Sequence, residues 1–152
     1  MILLTGGNTD AGPAKTAINL IRYKSEEVVA VLDPIHQGKT CQSVFGLGGG
    51  IPVIGTLAEA ADADTVVIGI APAGGKLPPI MRTILMDAIR RKMTIVSGLH
   101  EFLCHDPEIA QAAREHGARL FDVRKNEERD DAHRKGISEK CLRIPTVGHD
   151  CN

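Results

Sequence analysis

Residues 65–79 read TVVIGIAPAGGKLPP, and this stretch decides the fold. Val66, Val67 and Ile68 form an apolar β-branched run, which suits a strand buried on both faces of a sheet. The run breaks into Gly69-Ile70-Ala71-Pro72-Ala73-Gly74-Gly75-Lys76. Glycines there let the backbone take positive φ and bring bare N–H groups close to a ligand. Pro78 or Pro79 then stands near the first position of a helix, where a proline lacks no needed donor. Strand, glycine-rich turn and helix start make the physical recipe for an anion or phosphate site, with Gly74, Gly75 and Lys76 as binding residues. The same pattern also serves a tight strand–helix connection that holds nothing.

Upstream, Ile2-Leu3-Leu4-Thr5 reads as a short strand and residues 6–13 as a turn cluster. Ala14, Ala17, Ile18 and Ile21 then fall on one helical face, with Lys15, Asn19 and Arg22 outward. Val28-Val29-Ala30-Val31-Leu32 is a second strand ending at Asp33-Pro34. This is a βαβ unit of dinucleotide-fold length, with Asp33 where an acidic residue would meet a ribose hydroxyl. The first turn lacks a GxGxxG fingerprint. Gly12 and Lys15-Thr16 approach a phosphate loop, but two extra residues separate glycine from lysine, so the Walker geometry fails. Residues 35–50 read as irregular, with His36 and Lys39 just past the second strand.

Downstream, residues 51–54 form a third strand, and residues 57–61 a small helix with Thr56 and Glu59 as a capping box. The helix after Pro79 turns Ile80, Ile84, Leu85, Ala88 and Ile89 inward and Arg82, Arg90, Arg91 and Lys92 outward. Met93-Thr94-Ile95-Val96 is a fifth strand. Asp106 caps a further helix that stops at Gly117, and Leu120-Phe121 begins a sixth strand. Strands alternating with helices predict an α/β, Rossmann-like, doubly wound and mostly parallel sheet over residues 1–124. Residues 125–140 are dense in charge and read as an exposed linker. Residues 141–152 begin something new, opening with an apolar strand-like run.

A net charge of −1 implies no polyanion partner, and 3% aromatic residues with no Trp argue against a base-stacking surface, so no nucleic acid is expected. No run reaches the length of a membrane span, and the amino terminus lacks the basic region of a signal peptide. Cys41, Cys104, Cys141 and Cys151 show no CxxC pair and read as reduced thiols of a cytoplasmic protein.

In a parallel sheet, ligands sit beyond the carboxyl ends of the strands at the switch point. Asp33, His36, Lys76, His100, Glu101, Asp122 and Arg124 all fall there. His100 and Glu101 offer a general base and a residue to orient it, or else a helix-entry cap. His100, Glu101, Cys104 and His105 fail the HExxH spacing, so no metal is expected. Asp122 and Arg124 share a face of their strand, where Arg124 can clamp a carboxylate or the two can pair with neighbours. Ser97 has no nucleophile elbow around it.

The stretches KTAINLIRY, EVVAVLDPIHQGKT, GIAPAGGKLP, SGLHEFL, LFDVRK and TVGHDCN run through nearly the whole chain. In that order they resemble the amino-terminal part of the D-glutamate N-acetyltransferase family. The resemblance implies a Rossmann-like domain followed by a P-loop-like domain. It also implies acetyl transfer from acetyl-CoA, as co-substrate, to the amine of D-glutamate. The resemblance also implies that residues 148–152, GHDCN, open a GxxxxGK[ST] loop; the sequence halts inside it and the lysine is absent, a truncated P-loop. The chain is therefore expected to fold yet to be incomplete as an enzyme alone. Within this expectation, His100 accepts the amine proton while Lys76 and Arg124 meet anionic groups. Two alternatives stand beside it: a nucleotide- or dinucleotide-binding domain of an oxidoreductase or sensor, and a non-catalytic domain that forms a homo-oligomer.

Overall fold

The computed structural model describes residues 1–125. All but the first residue of the linker expected at 125–140, and the strand-like run and P-loop opening expected at 141–152, lie outside the described residues.

Six strands form one sheet: β1 (Ile2–Leu4), β2 (Ala30–Leu32), β3 (Val53–Ile54), β4 (Thr65–Ile68), β5 (Thr94–Ser97) and β6 (Arg119–Asp122). Their spatial order is β3-β2-β1-β4-β5-β6, and every pairing is parallel. All carboxyl ends therefore share one rim. The chain reverses its direction of travel across the sheet between β1 and β4, so the switch point lies there.

Successive side chains of a strand point to opposite faces, and the core divides accordingly. Leu3, Val31, Val53 and Val67 pack with Ala17 and Ile21 of α1 (Lys15–Tyr23) and with Cys41 of α2 (Cys41–Phe45). On the other face, Leu4, Leu32, Ile68 and Ile95 meet Met81, Leu85 and Ile89 of α3 (Pro79–Arg90) and Ile109 and Ala113 of α4 (Pro107–His116). Helices on both faces leave the central strands fully buried, which is why β1 and β2 are apolar without alternation.

Local signals set the helix ends. The Asp106 carboxylate accepts the Glu108 and Ile109 N–H groups at the start of α4, and Gly117 ends it at φ 76°. Pro79 opens α3. Two details differ from the sequence expectation. The stretch 35–50 contains the short helix α2, capped by the Thr40 hydroxyl accepting from the Ser43 N–H and stopped by Gly46 at φ 73°. In α3, Ile80 is exposed and Met81 takes the core position beneath the first turn. There the Met81 side chain packs under Gly6, whose absent Cβ would lie 3.0 Å from its terminal methyl carbon.

Candidate functional site

The loops that follow β1 and β4 part at the switch point and are tied together below it. The Ala17 N–H donates to the Gly69 carbonyl at 2.8 Å, and the Ala71 N–H to the Pro13 carbonyl at 2.7 Å. A Cβ on Gly69 would sit 2.8 Å from that of Ala17, so glycine is what lets the first turn of α1 approach the end of β4.

The glycine-rich loop after β4 is latched to the loop after β5. The Gly75 carbonyl accepts the His100 and Glu101 N–H groups at 3.0 and 3.1 Å. Gly75 itself adopts φ +62°, and a Cβ there would lie 2.6 Å from ring carbons of His100. The Glu101 carboxylate accepts the Leu77 N–H at 3.0 Å. The loop is thus fixed at two points.

Between these loops lies a cleft of about 160 Å³, lined by Lys15, Thr16, Gly75, His100 and Arg124, with Pro72 on its wall. Among the described residues, no acidic side chain lines it. Lys15 and Arg124 bring positive charge to it. The amino end of α1, which carries no side-chain cap, adds the positive end of its dipole. Chemically, the cleft suits an anion bearing hydrogen-bond acceptors, a carboxylate or a phosphate. Of the residues expected at the site, it brings together Gly75, His100 and Arg124.

The others occupy the same rim in different employment. Asp33 is fully buried at the end of β2. One of its carboxylate oxygens accepts the Ile35 and His36 N–H groups, and the other faces the Thr5 hydroxyl at 3.2 Å and His36 Nδ1 at 3.1 Å. A ribose hydroxyl would find both oxygens already engaged. Asp122 accepts the Leu103 and Cys104 N–H groups, so it caps the turn Leu103–His105 instead of pairing with Arg124. Glu101 is bonded to the Leu77 backbone, not to the His100 ring. Gly74 and Lys76 are exposed on the latched loop and do not line the cleft.

Lys15 and Thr16 are the lining residues that the Walker spacing argument discounts. The signal for them is the pair of polar residues immediately after Pro13-Ala14 at a helix start. Among the described residues, no group of three or more His, Cys, Asp or Glu side chains comes together as a metal site. Among the same residues, no helix is long and apolar enough to cross a membrane.

Residues 34–126, more than half of the chain, match the family model described as "Domain of unknown function (DUF1611_N) Rossmann-like domain". The chain belongs to this family. It is 33% identical over 153 residues to a protein named D-glutamate N-acetyltransferase from Pseudoalteromonas sp, and 31% identical over 158 residues to one of the same name from Tritonibacter scottomollicae. Each match covers 99% of this chain and 43% of the relative, so the chain spans less than half of the length of these proteins. The crystal structure of a DUF1611 family protein from Anabaena variabilis superposes with a TM-score of 0.72 at 29% identity, covering 84% of this chain and 37% of that one. A homoserine dehydrogenase from Thiobacillus denitrificans, 22% identical with a TM-score of 0.50 over 80% of this chain and 28% of its own, shares the fold alone.

Proposed function

We propose that this chain is the Rossmann-like part of an N-acyltransferase that moves an acetyl group from acetyl-CoA to the amine of D-glutamate. The observation that carries the proposal is the match of nearly the whole chain to two proteins of that name. The cleft supports it. D-Glutamate presents two carboxylates, and Lys15, Arg124 and the start of α1 bring positive charge to the cleft. The phosphates of CoA carry the same attraction, and either ligand can occupy this end of the rim.

In the reaction, the amine nitrogen forms a bond to the thioester carbonyl carbon and the carbon–sulfur bond breaks. An ammonium must lose its proton before it attacks, so a proton acceptor is required. CoA leaves as the thiol. His100 stands in the cleft and His36 stands further along the rim at β2, and both are imidazoles suited to that transfer.

The test is release of free CoA thiol by the protein, purified as its gene encodes it, when D-glutamate and acetyl-CoA are both present. Turnover with D-glutamate and none with L-glutamate is expected. Absence of turnover with every D-amino acid would reject the proposal. A dinucleotide-binding role has less support, because the Asp33 carboxylate is occupied within the protein.

A further inference from the structure

The end of β2 carries a feature that a mere turn cap does not need. Three donors would already satisfy the buried Asp33 carboxylate: the Thr5 hydroxyl and the Ile35 and His36 N–H groups. A fourth group, the His36 imidazole, nevertheless turns inward and places Nδ1 3.1 Å from a carboxylate oxygen. Thr5 and Asp33 are wholly inaccessible, while the His36 side chain keeps 22% of its surface. An ionised carboxylate only accepts, so in the neutral imidazole Nδ1 must carry the proton. The lone pair is then on Nε2, directed away from the carboxylate.

His100 lacks such an arrangement. Its neighbour Glu101 is spent on the Leu77 backbone, and its own ring lies against Gly75. Among the described residues, His36 is the imidazole whose tautomer and orientation are set by a buried carboxylate. That is the relationship by which an acid residue prepares a histidine to take a proton.

The turn after β1 separates His36 from the cationic cleft. Gly6 and Gly7 take φ of +55° and +93° and have no side chains, and a Cβ on Gly7 would strike Ile35, the residue beside His36. The Ile35 side chain thus packs on Gly7, and the β1 turn and the His36 segment meet directly on the same rim as the cleft.

We infer that His36, held by Asp33 with Nε2 as the acceptor, is the proton-accepting residue for the ammonium group of the amino-acid substrate. This rests on the acetyl-transfer reading for the identity of the substrate. Asp33 is its positioning residue, and Thr5 holds Asp33.

The test uses protein labelled with ¹⁵N at histidine, in three steps. Long-range proton–nitrogen spectra at about pH 9, well above the ordinary histidine range, report the neutral tautomer of His36. The Nδ1–H form is expected. In Asp33→Asn the side-chain amide donates to Nδ1 instead, and the signal should move to the Nε2–H form. An Nε2–H tautomer in the unaltered protein overturns the inference.

D-Glutamate alone is then titrated in. A saturable shift at His36 supports the inference. A shift confined to His100, which lines the cleft with Lys15 and Arg124, overturns it while leaving the substrate reading intact. No shift anywhere overturns both. In the CoA-release assay, His36→Asn is expected to lower kcat by about 10²-fold or more with KM little changed, and added imidazole should restore part of the rate. An unchanged kcat overturns the inference, and this variant keeps a donor toward Asp33 should Asp33→Asn fail to fold.

Discussion

Arg82 on α3 grips the Asp106 carboxylate at the start of α4 with two parallel bonds, 2.7 Å from one guanidinium nitrogen and 3.0 Å from the other. The same guanidinium also reaches Glu108. The two helices that cover one face of the sheet are joined at their amino ends by this fork. Asp106 is also the cap of α4, so one carboxylate serves both packing and helix start.

The hydrogen bonds from Arg82, against the opposing cost of burial, and those from the α4 backbone hold the Asp106 carboxyl down at about 2. The guanidinium is in turn pushed further up by Asp106 and then Glu108. A carboxylate depressed on folding contributes stability that is present above its unfolded value near 3.8 and is lost as pH falls through about 2. Replacing Arg82 with Met should cost about 1–2 kcal/mol at pH 7, a modest figure because the arginine side chain is 34% exposed. Urea unfolding at pH 7 and pH 2.5 (about one unit below the unfolded value) should show this difference shrinking in acid.

Gly75→Ala should be more costly than an ordinary loop change. The left-handed φ of +62° and the 2.6 Å approach to His100 both forbid a Cβ. A loss of about 2–3 kcal/mol is expected, combining backbone strain with displacement of the His100 ring. Thermal unfolding measures it. Glu101→Gln keeps an acceptor for the Leu77 N–H and should cost under about 1 kcal/mol.

Cys41 is fully buried at the start of α2, and desolvation pushes its thiol up to about 11. It should stay unmodified by a thiol-alkylating reagent at neutral pH for as long as the fold is intact. Cys104, half-buried beside the Lys125 ammonium at 3.4 Å, should react before Cys41. Peptide mass mapping over time separates the two, and modification of Cys41 then reports unfolding.

Removing charge from the cleft should weaken the binding of anionic ligands. Arg124→Ala and Lys15→Ala are each expected to lower the affinity for D-glutamate about tenfold, and the double variant by more. Calorimetric titration checks this, with folding verified by an unchanged unfolding midpoint.

The sheet was legible in the sequence because each strand is a short apolar run followed by glycine, Asp-Pro or a capping residue, and the runs alternate with helical spacing. Parallel order and one functional rim follow from that alternation. Helix α2 was not legible, since its five residues sit among glycines and show no periodicity; only Thr40 with Ser43 marks it.

The polar rim residues were legible by position and not by employment. Asp33, Glu101 and Asp122 stand at strand or loop ends as expected, yet each accepts backbone N–H groups from a turn folded over it. Spacing cannot distinguish a carboxylate aimed at a ligand from one aimed at the chain, because that depends on the path of loops brought close by the sheet. Lys15 fails a sequence motif for the same reason. Its place in the cleft comes from the docking of α1 on Gly69, a contact across more than fifty residues.

The cationic cleft on the carboxyl rim is the proposed ligand site of this family member. A crystal structure of the protein grown with D-glutamate and CoA measures this most directly. Ligand density is expected against Lys15, Gly75, His100 and Arg124. Well-ordered ligand at the amino ends of the strands, with that cleft holding only solvent, would contradict it.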